Sequence, residues 1–314
     1  MNDYHRALAD AVGGMFTRQE ALRWGLTDND LVAEVRSGRL RRLTRGVYGL
    51  PRIGQTPEQE HAWRTRAVLR SRPGALAGAR SALALAGLPL VDADLGTVVL
   101  HTGTKERYGG PGTATYPLPP DEPVIDVGGV RRVSLETAIL STAARDSRQT
   151  AVAAGDAALH RGLVTMASLE EASVRLGRRA SRGRRILTAL DPRSESPGES
   201  ISRLVISDLG HEVRSQVEIR TPAGELIGRV DLLVDGILIA EFDGAMKYAG
   251  ADGRDALVRE KRREDALRAL GYVVVRITWS DLFVPGRLQG LIADALARAA
   301  TRRPDPFHPL GVTR

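Results

Sequence analysis

The run GRVDLLVDGILIAEFDGAMKY at residues 228–248 carries three carboxylates in places where apolar side chains would pack better. Residues 230–234 and 237–242 are β-rich, and the Asp235-Gly236 pair between them is a strong hairpin-turn signal. Asp231 falls on the first stretch, Glu241 on the second and Asp243 just beyond it. Burying such groups without partners is costly, and a divalent cation with oxygen ligands offsets that cost. Mg2+ held in this way polarises a phosphoryl oxygen and generates a hydroxide nucleophile. Asp231, Glu241 and Asp243 are therefore candidate Mg2+ ligands. The competing reading is a strand end with solvated carboxylates, in which Asp243-Gly244 is simply a turn.

Register decides between the two. Side chains alternate faces along a strand. A two-residue turn at Asp235-Gly236 pairs Val234 with Ile237 and Asp231 with Ala240, which leaves Glu241 on the opposite face from Asp231. A shared site needs one more residue in the loop, or a bulge further along. We expect that shift, with Asp231 facing Glu241 and Asp243 on the same face two residues on.

Cations accompany these acids. Lys105, Lys247 and Lys261 are the only lysines among 45 basic residues, and two of them lie here. Lys247 follows Asp243 by four residues, and Lys261 sits on the helical run ALVREKRREDALRALG. A compact ammonium with an adjustable pKa suits the positioning of water or the stabilisation of charge. The helix is polar all round in its first turns, as a helix lining a charged cleft would be, and gains Leu267 and Leu270 later. The strand-like run GYVVVRITW at 271–279 holds Arg276 in its middle, a candidate clamp for a phosphate or carboxylate. Upstream, Ser196-Pro197-Gly198-Glu199 reads as a capping box with proline at the first helical position. Glu199 is either that cap or a further catalytic carboxylate.

The N-terminus has a different character. Thr17 and Glu20 form a capping box that starts a helix at about Arg18, and Thr27 caps a second helix that Gly38 stops. The run RLRRLTRGVYGL then reads as a hairpin with a tight turn at Arg45-Gly46. Two short helices and a two-stranded hairpin outline a winged helix-turn-helix. Arg36, Arg39, Arg41, Arg42 and Arg45 fall within ten residues free of acids. Guanidinium groups on such a hairpin suit phosphate contacts and minor-groove insertion, and DNA is the expected partner. An Arg-rich solvated surface is the bland alternative.

The remaining chain bounds these readings. Its 314 residues suggest two or three domains. The 42% apolar content supports real cores, which with 4% aromatics must be built from aliphatic side chains. The absence of cysteine excludes disulfides, thiolate metal sites and a Cys nucleophile. A net charge of +7 favours polyanions. No run is long and apolar enough for a membrane span or signal peptide, so the expectation is a cytoplasmic protein without a membrane partner. Residues 53–190 read as a mixed α/β linker or docking domain whose His101 and His160 are structural. The polar stretch 175–198 reads as a hinge, and 301–314 as a loose tail.

Two resemblances add to this. GGMFTRQEALRWGLTDNDLVAEVRSGRLRRLTRGVYGL, above all Gly38 to Tyr48, resembles the N-terminal domain of AbiEi-type antitoxins. That resemblance implies DNA binding first and a cognate toxin only second. The second region, residues 194–300, resembles the PD-(D/E)xK nuclease superfamily, and within it domains related to very-short-patch repair endonucleases. The carrying residues are Glu199, Gln216, Asp231, Glu241-Phe242-Asp243-Gly244, Lys247-Tyr248, Glu260-Lys261-Arg262, Arg276 and Trp279. This likeness implies a small mixed sheet flanked by helices and Mg2+-dependent phosphodiester cleavage. The motif departs from the family where a lysine is usual and Asp243 stands, so Lys247 or Lys261 would have to supply the cation.

The expectation is thus an α+β multidomain protein. An N-terminal winged helix-turn-helix (1–52) and a mixed α/β middle region (53–190) precede a C-terminal restriction-endonuclease-like α/β/α domain (194–300). Its expected function is DNA binding coupled to Mg2+-dependent nuclease activity, with Asp231, Glu241 and Asp243 on the metal, Lys247, Lys261 and Glu199 assisting, and Arg276 on DNA. The alternative is an antitoxin-type transcriptional repressor whose inactive nuclease fold serves as a homodimerisation or sensing module.

Overall fold

The computed structural model describes residues 6–7, 10, 13–103, 110, 112–244 and 253–301. They divide into two compact units, the first comprising residues 1–154 and 164–187 and the second 155–163 and 188–314.

The first unit begins with strand β1 (Met15–Thr17), helices α1 (Arg18–Arg23) and α2 (Asp28–Arg36), and strands β2 (Arg41–Thr44) and β3 (Val47–Gly49). Both helices start at capping boxes, Thr17 with Glu20 and Thr27 with Asp30. Gly38 adopts φ 74° after α2 and Gly46 φ 75° in the hairpin turn, conformations that L side chains rarely tolerate. The hairpin is widened into a three-stranded sheet by β1, in the order β1-β3-β2. Phe16, Ala21, Leu26, Leu31, Leu40 and Leu50 form its core.

Helix α3 (Pro57–Arg70) links this part to the rest of the unit. Its Trp63 packs with Met15, Val47 and Ala67. A Cβ on Gly49 would lie 2.5 Å from the Trp63 ring, so only glycine fits there. Beyond α3 stands a five-stranded sheet in the order β6-β5-β4-β8-β7. Its strands are β4 (Ala75–Ala77), β5 (Val98–Thr102), β6 (Thr113–Pro117), β7 (Val124–Val127) and β8 (Val130–Val133). Helices α4 (Ala79–Leu85), α5 (Leu135–Arg145) and α7 (Met166–Leu176) belong to the same unit, and α6 (Arg148–His160) is divided between the two. Buried charges here have partners. Arg80 binds Asp146 and the Asp94 and Thr97 carbonyls, and Glu122 accepts from Ser134, Thr137 and Arg175.

The division between the two units falls within 175–198, the stretch read as a hinge, but much of that stretch is folded. Two 3-10 turns, Gly177–Ala180 and Gly183–Ala189, bury Ala180 and Ile186. A Cβ on Gly183 would lie 2.2 Å from the Leu140 carbonyl oxygen. The aliphatic residues among its arginines hold the segment down, a packing that its polar composition conceals.

The second unit contains helix α8 (Pro197–Asp208), strands β9 (Val213–Arg220), β10 (Leu226–Val234) and β11 (Leu238–Phe242), and helix α9 (Gly253–Ala269). Strand β12 (Val273–Ile277) and helices α10 (Trp279–Phe283) and α11 (Arg287–Thr301) follow. The four strands form a sheet in the order β12-β11-β10-β9, antiparallel except for the β11–β12 pair. Leu232, Val234, Leu238, Ala240, Val275 and Ile277 pack on one face with Ile206 of α8 and Leu288 and Ile292 of α11. Leu233, Ile239 and Val274 pack on the other with Leu267 and Leu270 of α9. The result is three layers, helix–sheet–helix. A buried pair reinforces it: Arg203 of α8 donates to Asp156 at 2.7 Å, and the Asp191 N–H donates to the same carboxylate at 2.7 Å.

The β10–β11 loop has three residues, because Val234 pairs with Leu238. Asp235 (φ 49°) and Gly236 (φ 69°) both take left-handed conformations. This is the one-residue shift that a shared face for Asp231 and Glu241 requires.

Candidate functional site

On the N-terminal helices and hairpin, position and pairing separate the five candidate arginines. Arg36 at the end of α2, Arg42 on β2 and Arg45 in the turn are exposed and make no ion pair among the described residues. Arg39 is exposed too, but its guanidinium bridges the Glu34 carboxylate at 2.8 and 3.0 Å and holds that carboxyl down at about 2. Arg41 binds Glu60 of α3 at 2.7 Å and lies 5.6 Å from the Trp63 ring centre. Three free cations therefore stand at the end of α2 and on the hairpin, while Arg39 and Arg41 are engaged by the protein's own acids.

In the second unit the carboxylates come from three elements. The β10–β11 register pairs Leu232 with Ala240, and one step further Asp231 stands opposite Glu241. The Phe242 N–H donates to Asp231 Oδ2 at 2.9 Å, which fixes the aspartate across the strand pair. On its other side the β9 register passes from Val217–Val230 to Ser215–Leu232, so Gln216 falls opposite Asp231. Gln216 has φ 54°, which breaks the strand's alternation, and its amide donates to Glu199 Oε2 at 2.8 Å. Glu199 sits in the first turn of α8, where its N–H donates to Ser196 Oγ at 3.2 Å and its carboxylate accepts from the Glu195 N–H at 3.1 Å. It is therefore part of the helix start and of the carboxylate group at once.

Burial pushes the Glu199, Asp231 and Glu241 carboxyls above their ordinary range. The Asp231 charge adds to the rise at both Glu199 and Glu241, so the three feel one another. The Phe242 N–H and the Arg263 charge oppose the rise at Asp231.

The cation that meets this group is Arg263 of α9, which the sequence reading did not single out. Its Nη2 lies 2.7 and 2.8 Å from the two oxygens of Glu241 and 2.9 Å from Glu260. Its spacing gives it away: residues 263, 267 and 270 share one helix face, and Leu267 and Leu270 pack on the sheet. Lys261, two residues earlier, is exposed. Lys247 lies outside the described residues. Asp243 is exposed beyond the end of β11, its N–H donating to the Ile277 carbonyl at 2.8 Å. Arg276 is held by Glu260 at 2.9 Å and Glu264 at 3.3 Å.

The donor set can be tested against Mg2+. The ion is satisfied by one or two carboxylates when waters complete an octahedron, and the facing Asp231 and Glu241 supply such a pair. A third protein ligand is not brought in: among the described residues no three His, Asp or Glu side chains could together hold a metal ion. Arg263 also occupies Glu241 and competes for the same charge.

Among the described residues no helix is long and apolar enough to cross a membrane. No curated protein matches the chain. Residues 6–51, which span β1 to β3, match the family model described as "Transcriptional regulator, AbiEi antitoxin". The chain is a mixed α+β multidomain protein whose N-terminal domain is similar to AbiEi antitoxin regulators.

Proposed function

We propose that the protein is a DNA-binding transcriptional regulator of the antitoxin type, with the winged-helix part as its DNA reader. The observation that carries this reading is the trio Arg36, Arg42 and Arg45, exposed and without an ion pair among the described residues, at the end of α2 and on the hairpin of the matched domain. Such cations neutralise phosphates and release counterions, and a helix with an adjacent wing offers contacts in two grooves. Fluorescence anisotropy with duplex DNA from upstream of its own gene tests this. Binding tighter than to a scrambled duplex at equal salt is the expected result, and equal weak binding to both contradicts it.

A second reading, a Mg2+-dependent nuclease in the second unit, is favoured by a separate observation. The element order α-β-β-β-α-β places Asp231 opposite Glu241, with Glu199 electrostatically coupled. In that reading Asp231 and Glu241 would hold the ion, which would polarise a phosphodiester, and Glu199, held by Gln216, would assist from α8 without ligating it. Asp243, Lys247 or Lys261 would assist, and Arg276 would reach DNA only by leaving Glu260 and Glu264. The engagement of Glu241 by Arg263 favours the regulator reading, in which the second unit serves as a sensing or dimerisation module. Incubation with supercoiled plasmid and Mg2+ separates the two: nicking that Asp231→Asn abolishes supports the nuclease, and intact plasmid supports the regulator.

A further inference from the structure

A cleft of about 660 Å³ opens in the first unit, between the start of the winged-helix part, helix α3 and the β7–β8 hairpin. Four arginines line it: Arg52, Arg66, Arg70 and Arg131. No acid is among its described lining residues. Of the four, Arg70 alone has a carboxylate partner among the described residues, Glu20. Arg52 and Arg131 are steadied by neutral carbonyls, Gly13 O at 3.0 Å and Pro73 O at 3.3 Å. The Arg66 guanidinium makes no hydrogen bond or ion pair among the described residues. Like charges so assembled repel one another: burial and the neighbouring Arg52 together push the Arg66 guanidinium below its ordinary range. An anion would relieve that repulsion.

The walls describe the rest of the occupant. Met15, Leu69, Pro73, Ala75 and Val130 supply apolar surface. The Trp63 ring lies beneath the Arg52 guanidinium at 5.0 Å, and its buried Nε1 has no hydrogen-bond partner. The hairpin tip Gly128-Gly129 brings bare backbone to the rim. A volume of this size, with apolar walls and a few convergent charges, suits a small organic molecule better than a free ion. Guanidinium forks select phosphate oxygens.

We propose that this cleft binds a small organic phosphate of the nucleoside-phosphate class, its phosphates on Arg66 and Arg131 and its body against the apolar wall. Arg36, Arg42 and Arg45 are not among its described lining residues, and its occupancy can be measured without DNA.

The test is isothermal calorimetry of the full chain with ADP, with adenosine and inorganic phosphate as controls, repeated on Arg66→Ala and Arg131→Ala. The Arg66 guanidinium has no partner among the described residues, and a thermal melt checks that both variants fold. The expected result is saturable ADP binding, stronger than either control, weakened about tenfold or more in each folded variant, the ordinary loss for one charge-assisted hydrogen bond. Absence of ADP binding at millimolar concentration overturns the proposal, as does ADP binding that neither variant changes. A third outcome also overturns it: no ADP binding, but weaker DNA binding with a shallower salt slope in Arg66→Ala. That result would assign the cleft to the DNA backbone.

Discussion

Arg263 Nη2 lies 2.7 and 2.8 Å from the two oxygens of Glu241, so one guanidinium holds the carboxylate that faces Asp231 across the β10–β11 pair. This contact means that a cation entering between Asp231 and Glu241 must compete with a residue already there. Arg263→Ala should destabilise the second unit, by the roughly 1–3 kcal/mol of a largely buried carboxylate left without its donor, and so lower its melting temperature. Added Mg2+ should restore more stability in the variant than it adds to the wild type. Thermal melts with and without Mg2+ measure both effects; equal Mg2+ responses would show that the ion does not compete with Arg263.

The raised carboxyls give a pH dependence of definite sign. A carboxyl whose pKa is higher in the folded state binds its proton more tightly there. Its contribution is fully present below about pH 4, the unfolded value, and is lost as pH rises through the folded value. Asparagine at position 231 can still accept the Phe242 N–H but never ionises. Asp231→Asn should therefore match the wild type near pH 4 and melt higher at pH 7 to 8, by about 2–4 °C if it relieves about 1 kcal/mol. Melting curves across that range check it, and a difference that shrinks with rising pH contradicts the assigned direction.

The buried Asp156–Arg203 pair should matter more for stability than any surface bridge. Asp156→Ala leaves Arg203 buried without its partner and removes the acceptor of the Asp191 N–H. A loss of about 3–5 kcal/mol is expected, read as a lower urea midpoint. A change under about 1 kcal/mol would show that water or another acceptor replaces the carboxylate.

Much of this arrangement was legible in residue types and spacing. Thr17, Thr27 and Ser196 announce helix starts, and each caps one. The placement of Asp231 and Glu241 demanded a one-residue shift, in the loop or by a bulge, and the loop supplies it, with Val234 pairing with Leu238. Other features depend on contacts distant in the chain. Strand β1 is only three residues, MFT, with no alternation to mark it, and forms because β3 offers a free edge. The left-handed Gln216 is set by packing between Glu199 and Asp231, since glutamine has no preference for that conformation. The cluster of arginines at 36–45 looked uniform, but Glu34 and Glu60 divide it into engaged and free members. Glu60 lies on another helix, and no local pattern reveals that pairing.

That division refines the DNA interface. Arg41 braces α3 through Glu60 and stands over Trp63, so Arg41→Ala should lower the melting temperature while leaving most DNA affinity. A selective loss of DNA affinity without a change in melting would place Arg41 on the DNA instead.

The most direct measurement is the salt dependence of DNA binding by the wild type and the Arg42→Ala/Arg45→Ala double variant, by fluorescence anisotropy on one duplex from upstream of the gene. Each phosphate contact contributes about 0.9 to the slope of log K against log salt. Weaker binding and a slope shallower by about 1.8 are expected in a variant that melts like the wild type. An unchanged affinity and slope would remove the hairpin from the DNA interface and contradict the regulator reading.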